Sequence, residues 1–140
     1  MMMNFEFDIE GGNFSKAGTA SSEIKKVLKQ LNLDYGLIKR VVVAAYEAEV
    51  NVVAHADSGK IHFEVDTTRI RIIVKDQGPG IPDIEKAMQQ GFSTASAKVR
   101  EMGFGAGMGL PNIKKNADKL TVNSEVAKGT QLEIIFDVIR

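Results

Sequence analysis

Hydrophobic and polar positions alternate over residues 4–10, with Phe5, Phe7 and Ile9 on one side and Glu6, Asp8 and Glu10 on the other. A period of two predicts a half-buried strand. Gly11-Gly12-Asn13 ends it, and the period then lengthens. Ile24, Val27, Leu28 and Leu31 recur at helical spacing between lysines, which predicts a helix over 15–33. Gly18, Thr19, Ser21 and Ser22 are poor interior residues and blur its start. A second helix is predicted over 35–56, with Asp34 as its N-cap. On its wheel Ile38, Val41, Val42, Ala45, Val52, Val53 and Ala56 share one arc. Nearly opposite, Glu47, Asn51 and His55 form a stripe one turn apart. Small apolar residues border that stripe: Val43, Ala44, Ala48, Val50 and Ala54. A solvated stripe would be bordered by Lys and Glu, so this one is expected to face a cleft. Glu49 falls within the apolar arc, against the pattern.

Asp57-Ser58-Gly59 makes a turn, and two strands follow over 60–66 and 69–76. They are joined by Thr67-Thr68, which is not a favoured hairpin dipeptide. A short helix is expected over 83–90, a further helix over 110–117 with Pro111 in its first turn, and closing strands over 120–126 and 130–138. The order predicts one domain over 1–140. Its fold class is an α+β two-layer sandwich, a mostly antiparallel sheet with helices on one face.

Two glycine-rich turns punctuate this frame. The first is Asp76-Gln77-Gly78-Pro79-Gly80 at a strand end. The second runs Gly103-Phe104-Gly105-Ala106-Gly107-Met108-Gly109 and leads into a helix. Between them a polar stretch with no core-facing strand pattern suggests a ligand cradle with a mobile cover over about 89–109.

Composition narrows the ligand. Eighteen basic and eighteen acidic side chains cancel, which argues against a nucleic-acid partner. There is no cysteine, which excludes thiolate chemistry, and two histidines make a zinc site improbable. No apolar run reaches bilayer length, and the Met1-Met2-Met3-Asn4 start is not that of a signal peptide, so a cytoplasmic protein away from membranes is expected.

The chemistry follows from residue types. Gly78 and Gly80 let backbone approach a flat ligand, and Asp76 on a rigid strand end can accept from an exocyclic amine. Taken alone, an Asp-x-Gly turn is more often only a turn. Gly105, Gly107 and Gly109 expose amides at a helix start, an arrangement that suits phosphate oxygens. The run is neither a Walker A loop nor a dinucleotide fingerprint. Glu47 offers a base, and Asn51 a neutral oxygen of the kind Mg²⁺ accepts beside substrate phosphates. By itself Glu-x-x-x-Asn reads as a solvated helix face.

The combination is far more specific. Glu47-x-x-x-Asn51, Asp76-x-Gly78-x-Gly80, the 103–109 run and Gly129-Thr130, in that order, resemble the Bergerat-fold (GHKL) ATPases. With Gly91-Phe92-Ser93-Thr94 and Gly109-Leu110-Pro111-Asn112-Ile113-Lys114-Lys115, the chain looks like the small bacterial anti-sigma-factor-type serine/threonine kinases of the RsbT and RsbW/SpoIIAB type, the RsbT type being nearer. The stretch 97–102 is additional to that pattern. The resemblance implies ATP and Mg²⁺ as cofactors. It makes Glu47 the general base and Asn51 the Mg²⁺ ligand. Asp76 would take the adenine amine, with Gly78, Gly80 and Thr130 completing that pocket. Gly105, Gly107, Gly109 and Leu110 would give amides to the phosphates. The implied substrate is a STAS-domain protein in a partner-switching pathway, with a sigma factor or a phosphatase regulator as further candidates. Such kinases can form homodimers, though no apolar stripe here demands one. The rival expectation is an ATP-gated binding module, an anti-sigma factor or activator with little turnover. A histidine kinase is disfavoured because the chain has no room for a phosphoacceptor helix pair. A gyrase-like machine is disfavoured because it has no transducer domain.

Overall fold

Five strands form a single sheet in the order β1-β2-β3-β5-β4, every neighbouring pair antiparallel. They are β1 (Met2–Glu10), β2 (Ser58–Asp66), β3 (Arg69–Gln77), β4 (Lys119–Glu125) and β5 (Gly129–Asp137). The helices are α1 (Thr19–Gln30), α2 (Tyr35–His55), α3 (Ile84–Ala87) and α4 (Gly109–Asn116). The computed structural model describes residues 2–81, 83–88 and 109–138. The expected cover over 89–109, Gly109 apart, lies outside the described residues, as do Gly105 and Gly107.

The pleat sorts side chains as the alternation requires. Ile61, Phe63 and Val65 of β2, Ile70, Ile72 and Val74 of β3, and Leu132, Ile134 and Phe136 of β5 are buried on one face. Phe5 lies opposite Phe63 in the register, with ring centroids 5.9 Å apart. Such cross-strand aromatic pairs hold an edge strand in register. Ile24 and Leu28 of α1, Val41 and Val52 of α2 and Ile113 of α4 close the core against that face.

The other face of the sheet carries a charged ladder. Arg71 Nε donates to Glu133 Oε2 at 2.9 Å and its Nη1 to Glu64 Oε2 at 3.2 Å. His62 sits between Glu64 and Glu6. Burial opposes ionisation of Glu64, but hydrogen bonds from Arg71 and His62 outweigh it and hold this carboxyl below its ordinary range.

Element ends depart from expectation for local reasons. The first helix is split into a short 3₁₀ turn at Phe14–Lys16 and α1, because Gly18 adopts φ +96° between them. The Thr67-Thr68 hairpin is organised by Asp66, whose Oδ1 accepts from Thr68 N at 2.7 Å and Arg69 N at 2.9 Å. A carboxylate bonding its own backbone two residues on replaces the missing Asn-Gly pair. α4 starts one residue earlier than predicted, at Gly109. The predicted helix over 83–90 is described only for Ile84–Ala87, capped by Asp83 Oδ1, which accepts from Lys86 N.

Glu49, the residue that broke the apolar arc, is 3% exposed. Its Oε2 accepts from Ala20 N at 3.1 Å and its Oε1 from Ser21 N at 3.0 Å. The N-cap residue of α1 is Gly18, which offers no side-chain acceptor. Glu49 therefore caps α1 from the neighbouring helix, giving two acceptor oxygens to free amides of its first turn.

Candidate functional site

α2 packs on the sheet on one side and against α1 and α4 on two others, and Glu47, Asn51 and His55 of its polar stripe are partly buried. Ala44 and Ala48, the small residues beside the stripe, are fully buried. Their size lets α4 approach closely. The two helices meet at three places, in opposite chain directions. A Cβ on Gly109 would lie 2.8 Å from Asn51 Oδ1 and 2.9 Å from its Nδ2, so the start of α4 rests on the Asn51 carboxamide. One turn on, Asn112 Nδ2 donates to Glu47 Oε1 at 3.4 Å. At the far end Arg40 Nη1 donates to the Asn116 carbonyl at 3.0 Å, and Asn116 Nδ2 donates back to the Asn112 carbonyl at 2.8 Å. Residues 109, 112 and 116 of α4 thus face 51, 47 and 40 of α2.

Glu47 is half-buried there. Burial pushes its carboxyl above the ordinary value of 4.5, and the Asn112 hydrogen bond pulls the other way without cancelling the rise. A carboxylate destabilised in this manner accepts a proton more readily, as a general base must. His55, the third member of the stripe, is partly buried and pushed below its ordinary value by desolvation. It is therefore the neutral imidazole near neutral pH.

The C-terminal end of α2 and the end of β3 converge at Gly78. Asp57 N donates to the Gln77 carbonyl at 2.8 Å. A Cβ on Gly78 would lie 3.0 Å from both the Cα and the Cβ of Ala56 and 3.4 Å from Asp76 Oδ1. Asp76 is half-buried, and burial raises its carboxyl above the ordinary 3.8, while Thr130 N donates to Oδ1 at 3.0 Å and opposes the rise. Gly129, at φ +144°, brings its backbone against the Asp76 carbonyl, where any Cβ would clash. A hollow lined in part by Asp76, Ser124, Gly129 and Thr130 opens beside this carboxylate.

Asp76 and Thr130 are thus in direct contact, 54 residues apart in sequence. Glu47 and Asn51 share the α4-facing side of α2. Gly80, at φ +76°, packs against the Glu125 carbonyl in the β4–β5 turn rather than beside Asp76. Leu110 contributes a buried core side chain, while its amide lies in the first turn of α4.

Sequence reasoning gave no role to three residues that the site uses. Asn112 was legible as part of a motif, but nothing in the sequence pairs it with Glu47; only the packing of α4 on α2 does. Asn116 belongs to the same stripe. Ser124 is a hub with no sequence signal: it accepts from Ile81 N at 2.6 Å and lies 2.9 Å from Thr130 Oγ1, which ties the 78–81 turn to the β4–β5 hairpin. Among the described residues no cluster of three or more His, Cys, Asp or Glu could hold a metal. Asn51 Oδ1 is a neutral oxygen of the kind Mg²⁺ accepts beside phosphates, and it lies next to Gly109, a position without a side chain. Among the same residues no helix is long and apolar enough to cross a membrane.

The chain is similar to proteins of known family. Residues 14–136 match the family model described as the histidine kinase-like ATPase domain. The serine/threonine-protein kinase RsbT of Bacillus subtilis is 36% identical over 115 residues, covering 79% of this chain and 80% of that protein. The anti-sigma F factor of Caldanaerobacter subterraneus subsp. tengcongensis is 35% identical over 135 residues, covering 92% of this chain and 88% of the relative. An anti-sigma F factor from a Thermoanaerobacter species is 34% identical over 134 residues, with the same coverage of 92% and 88%. On the extent of the domain match and of these likenesses, the chain belongs to the histidine kinase-like ATPase domain family.

Proposed function

We propose that this protein is an ATP- and Mg²⁺-dependent serine/threonine kinase that phosphorylates a STAS-domain protein in a partner-switching pathway. The observation that carries the reading is the seating of the start of α4 on Asn51, with the Glu47 carboxylate one helical turn away and held by Asn112. Support also comes from the likeness to RsbT, whose name is that of a serine/threonine-protein kinase.

The chain's residues divide the work. Asp76 accepts a hydrogen bond from the adenine amine, and its desolvation makes that bond strong and selective. Thr130 holds the Asp76 carboxylate in place through its backbone N–H. Glu47 takes the proton of the acceptor hydroxyl as the new Oγ–P bond forms and the bond from the γ-phosphorus to ADP breaks. Gly109 and Leu110 supply first-turn amides toward phosphate oxygens at the positive end of α4. Asn51 offers its carboxamide oxygen to Mg²⁺. Mg²⁺ held there would supply positive charge to offset the negative charge that develops during transfer. Gly105 and Gly107 complete the amide set in this reading.

The test is a labelling assay with γ-labelled ATP, Mg²⁺ and a lysate of the source cells, beside Glu47→Ala. An acid-stable labelled band with the parent and none with the variant is expected. An acid-labile band would point to histidine phosphorylation and sink the serine/threonine assignment. The names of the anti-sigma F factors favour one second reading, an ATP-gated binding module with a sigma factor as partner. A parent that binds ATP yet labels nothing would move the assignment there.

A further inference from the structure

We infer that Asn112 is a positioning residue for phosphotransfer, fixing the Glu47 carboxylate from the facing helix so that its second oxygen meets the acceptor hydroxyl. This inference rests on the kinase reading, because it assigns Asn112 a task only if Glu47 is the base.

A glutamate side chain on a helix has several rotatable bonds, and a base must be held close to one geometry to act. Nothing on α2 itself is seen to fix Glu47. Its helical neighbours on the stripe are Asn51 and the small residues Val43, Ala44 and Ala48. The hold comes from α4: Asn112 Nδ2 lies 3.4 Å from Glu47 Oε1. That is long for a hydrogen bond, so the contact steers the carboxylate more than it binds it. A carboxamide suits this task. It donates without adding charge, whereas a lysine or arginine there would neutralise the base and lower its proton affinity.

Asn112 is itself fixed. Its carbonyl accepts from Asn116 Nδ2 at 2.8 Å, and the Asn116 carbonyl accepts from Arg40 Nη1 at 3.0 Å. Arg40 also approaches Asp118 at 3.8 Å, and Asp118 Oδ2 accepts from Asp137 N at 2.8 Å in β5. These contacts tie the backbone of α4, which carries Asn112, to Arg40 of α2 and through Asp118 to β5.

The test measures label transfer into the acid-stable lysate band against ATP concentration for the parent, Asn112→Ala, Asn112→Asp, Asn112→Gln and Asn116→Ala. Melting temperatures are recorded for each. Asn112→Ala should lower kcat by about tenfold to 100-fold, with KM for ATP within about twofold, the signature of a lost positioning contact. Asn112→Asp, which sets a like charge against the base, should fall at least as far. Asn112→Gln retains the donor and should recover part of the loss. Asn116→Ala removes the bond to the Asn112 backbone carbonyl but keeps both the Asn112 side-chain donor and the carbonyl that Arg40 reaches. It should cost melting temperature and lower kcat clearly less than Asn112→Ala does. Equal kcat for Asn112→Ala and the parent would overturn the inference, as would an equal loss in Asn116→Ala, which would mean that helix seating alone is being read. Glu47→Ala in parallel separates the failures. If it retains transfer, or if the parent has none, the kinase reading itself falls. If it abolishes transfer while Asn112→Ala is silent, only the role of Asn112 falls.

Discussion

Two carboxylates in the site share one electrostatic condition. Glu47 and Asp76 are each half-buried, and in each desolvation outweighs a single hydrogen bond, so both titrate above their ordinary values of 4.5 and 3.8. A raised carboxyl pKa in the folded state means that the fold binds the proton more tightly than the unfolded chain does. Each group's favourable contribution is present below the unfolded value and lost as pH rises through the folded one. At neutral pH the nucleotide-free protein therefore holds two carboxylates it would be more stable without charging, a cost that partners for those charges would relieve. Carbon-detected NMR titration of the free protein should give midpoints above 4.5 for Glu47 and above 3.8 for Asp76. A Glu47 midpoint at or below 4.5 would remove desolvation as the source of its basicity. Asp76 stood out in the sequence as the end of an apolar strand ahead of two glycines, but that pattern alone is more often only a turn, and its expected role came through resemblance. Its partner Thr130 was legible only through resemblance, since nothing local to 130 points across 54 residues to 76.

The helices show how an apparent fault in a pattern can mark a contact. Glu49 sits among buried residues of α2, where a carboxylate without partners would be costly, and supplies the cap that Gly18 cannot. Glu49→Ala should leave the amides of Ala20 and Ser21 buried and unmatched and destabilise the protein by about 3 kcal/mol in urea unfolding. Glu49→Gln, which can accept one of the two bonds, should lose less. If Glu49→Ala costs under about 1 kcal/mol, α1 does not depend on this cap. Periodicity could not reveal this, because it reports which face of a helix is buried and not which neighbour's end abuts it. The strands were legible almost to the residue, since a period of two survives burial on one face. The helix starts were less so. Gly18 and Gly109 each act through a tertiary condition, a positive φ in the one case and the closeness of Asn51 in the other. The stripe of Glu47, Asn51 and His55 was read as facing a cleft, and its small apolar borders were the informative signal. What covers the stripe, α4 with Asn112, lies some 60 residues further on and has no local trace.

Across the whole molecule, the described parts are tied in ways that leave few independent pieces. α2 packs on the sheet through Val41, Val52 and Val53, takes α1 through Glu49 and takes α4 through Arg40, Glu47 and Asn51. The β4–β5 hairpin is bound to the 78–81 turn by Ser124 and by the bond from Ala127 N to the Pro79 carbonyl at 2.8 Å. Separating any one element would expose apolar surface belonging to the others, so the domain proposed over the full chain should melt as one unit. Calorimetry should show a single transition whose calorimetric and van't Hoff enthalpies agree. The same connectivity makes nucleotide binding a stability measurement. A ligand bound only by the folded state at about 100 times its Kd adds about 2.7 kcal/mol, which for a domain of this size raises Tm by roughly 10 °C. ATP with Mg²⁺ should produce such a concentration-dependent shift in the parent. In Asp76→Asn the shift at the same ATP concentration should shrink, because losing a charge-assisted bond of about 1–3 kcal/mol weakens binding by roughly fivefold to 150-fold. Two resolved transitions would show that part of the chain unfolds separately. A full shift in Asp76→Asn would place the adenine amine elsewhere than on this carboxylate.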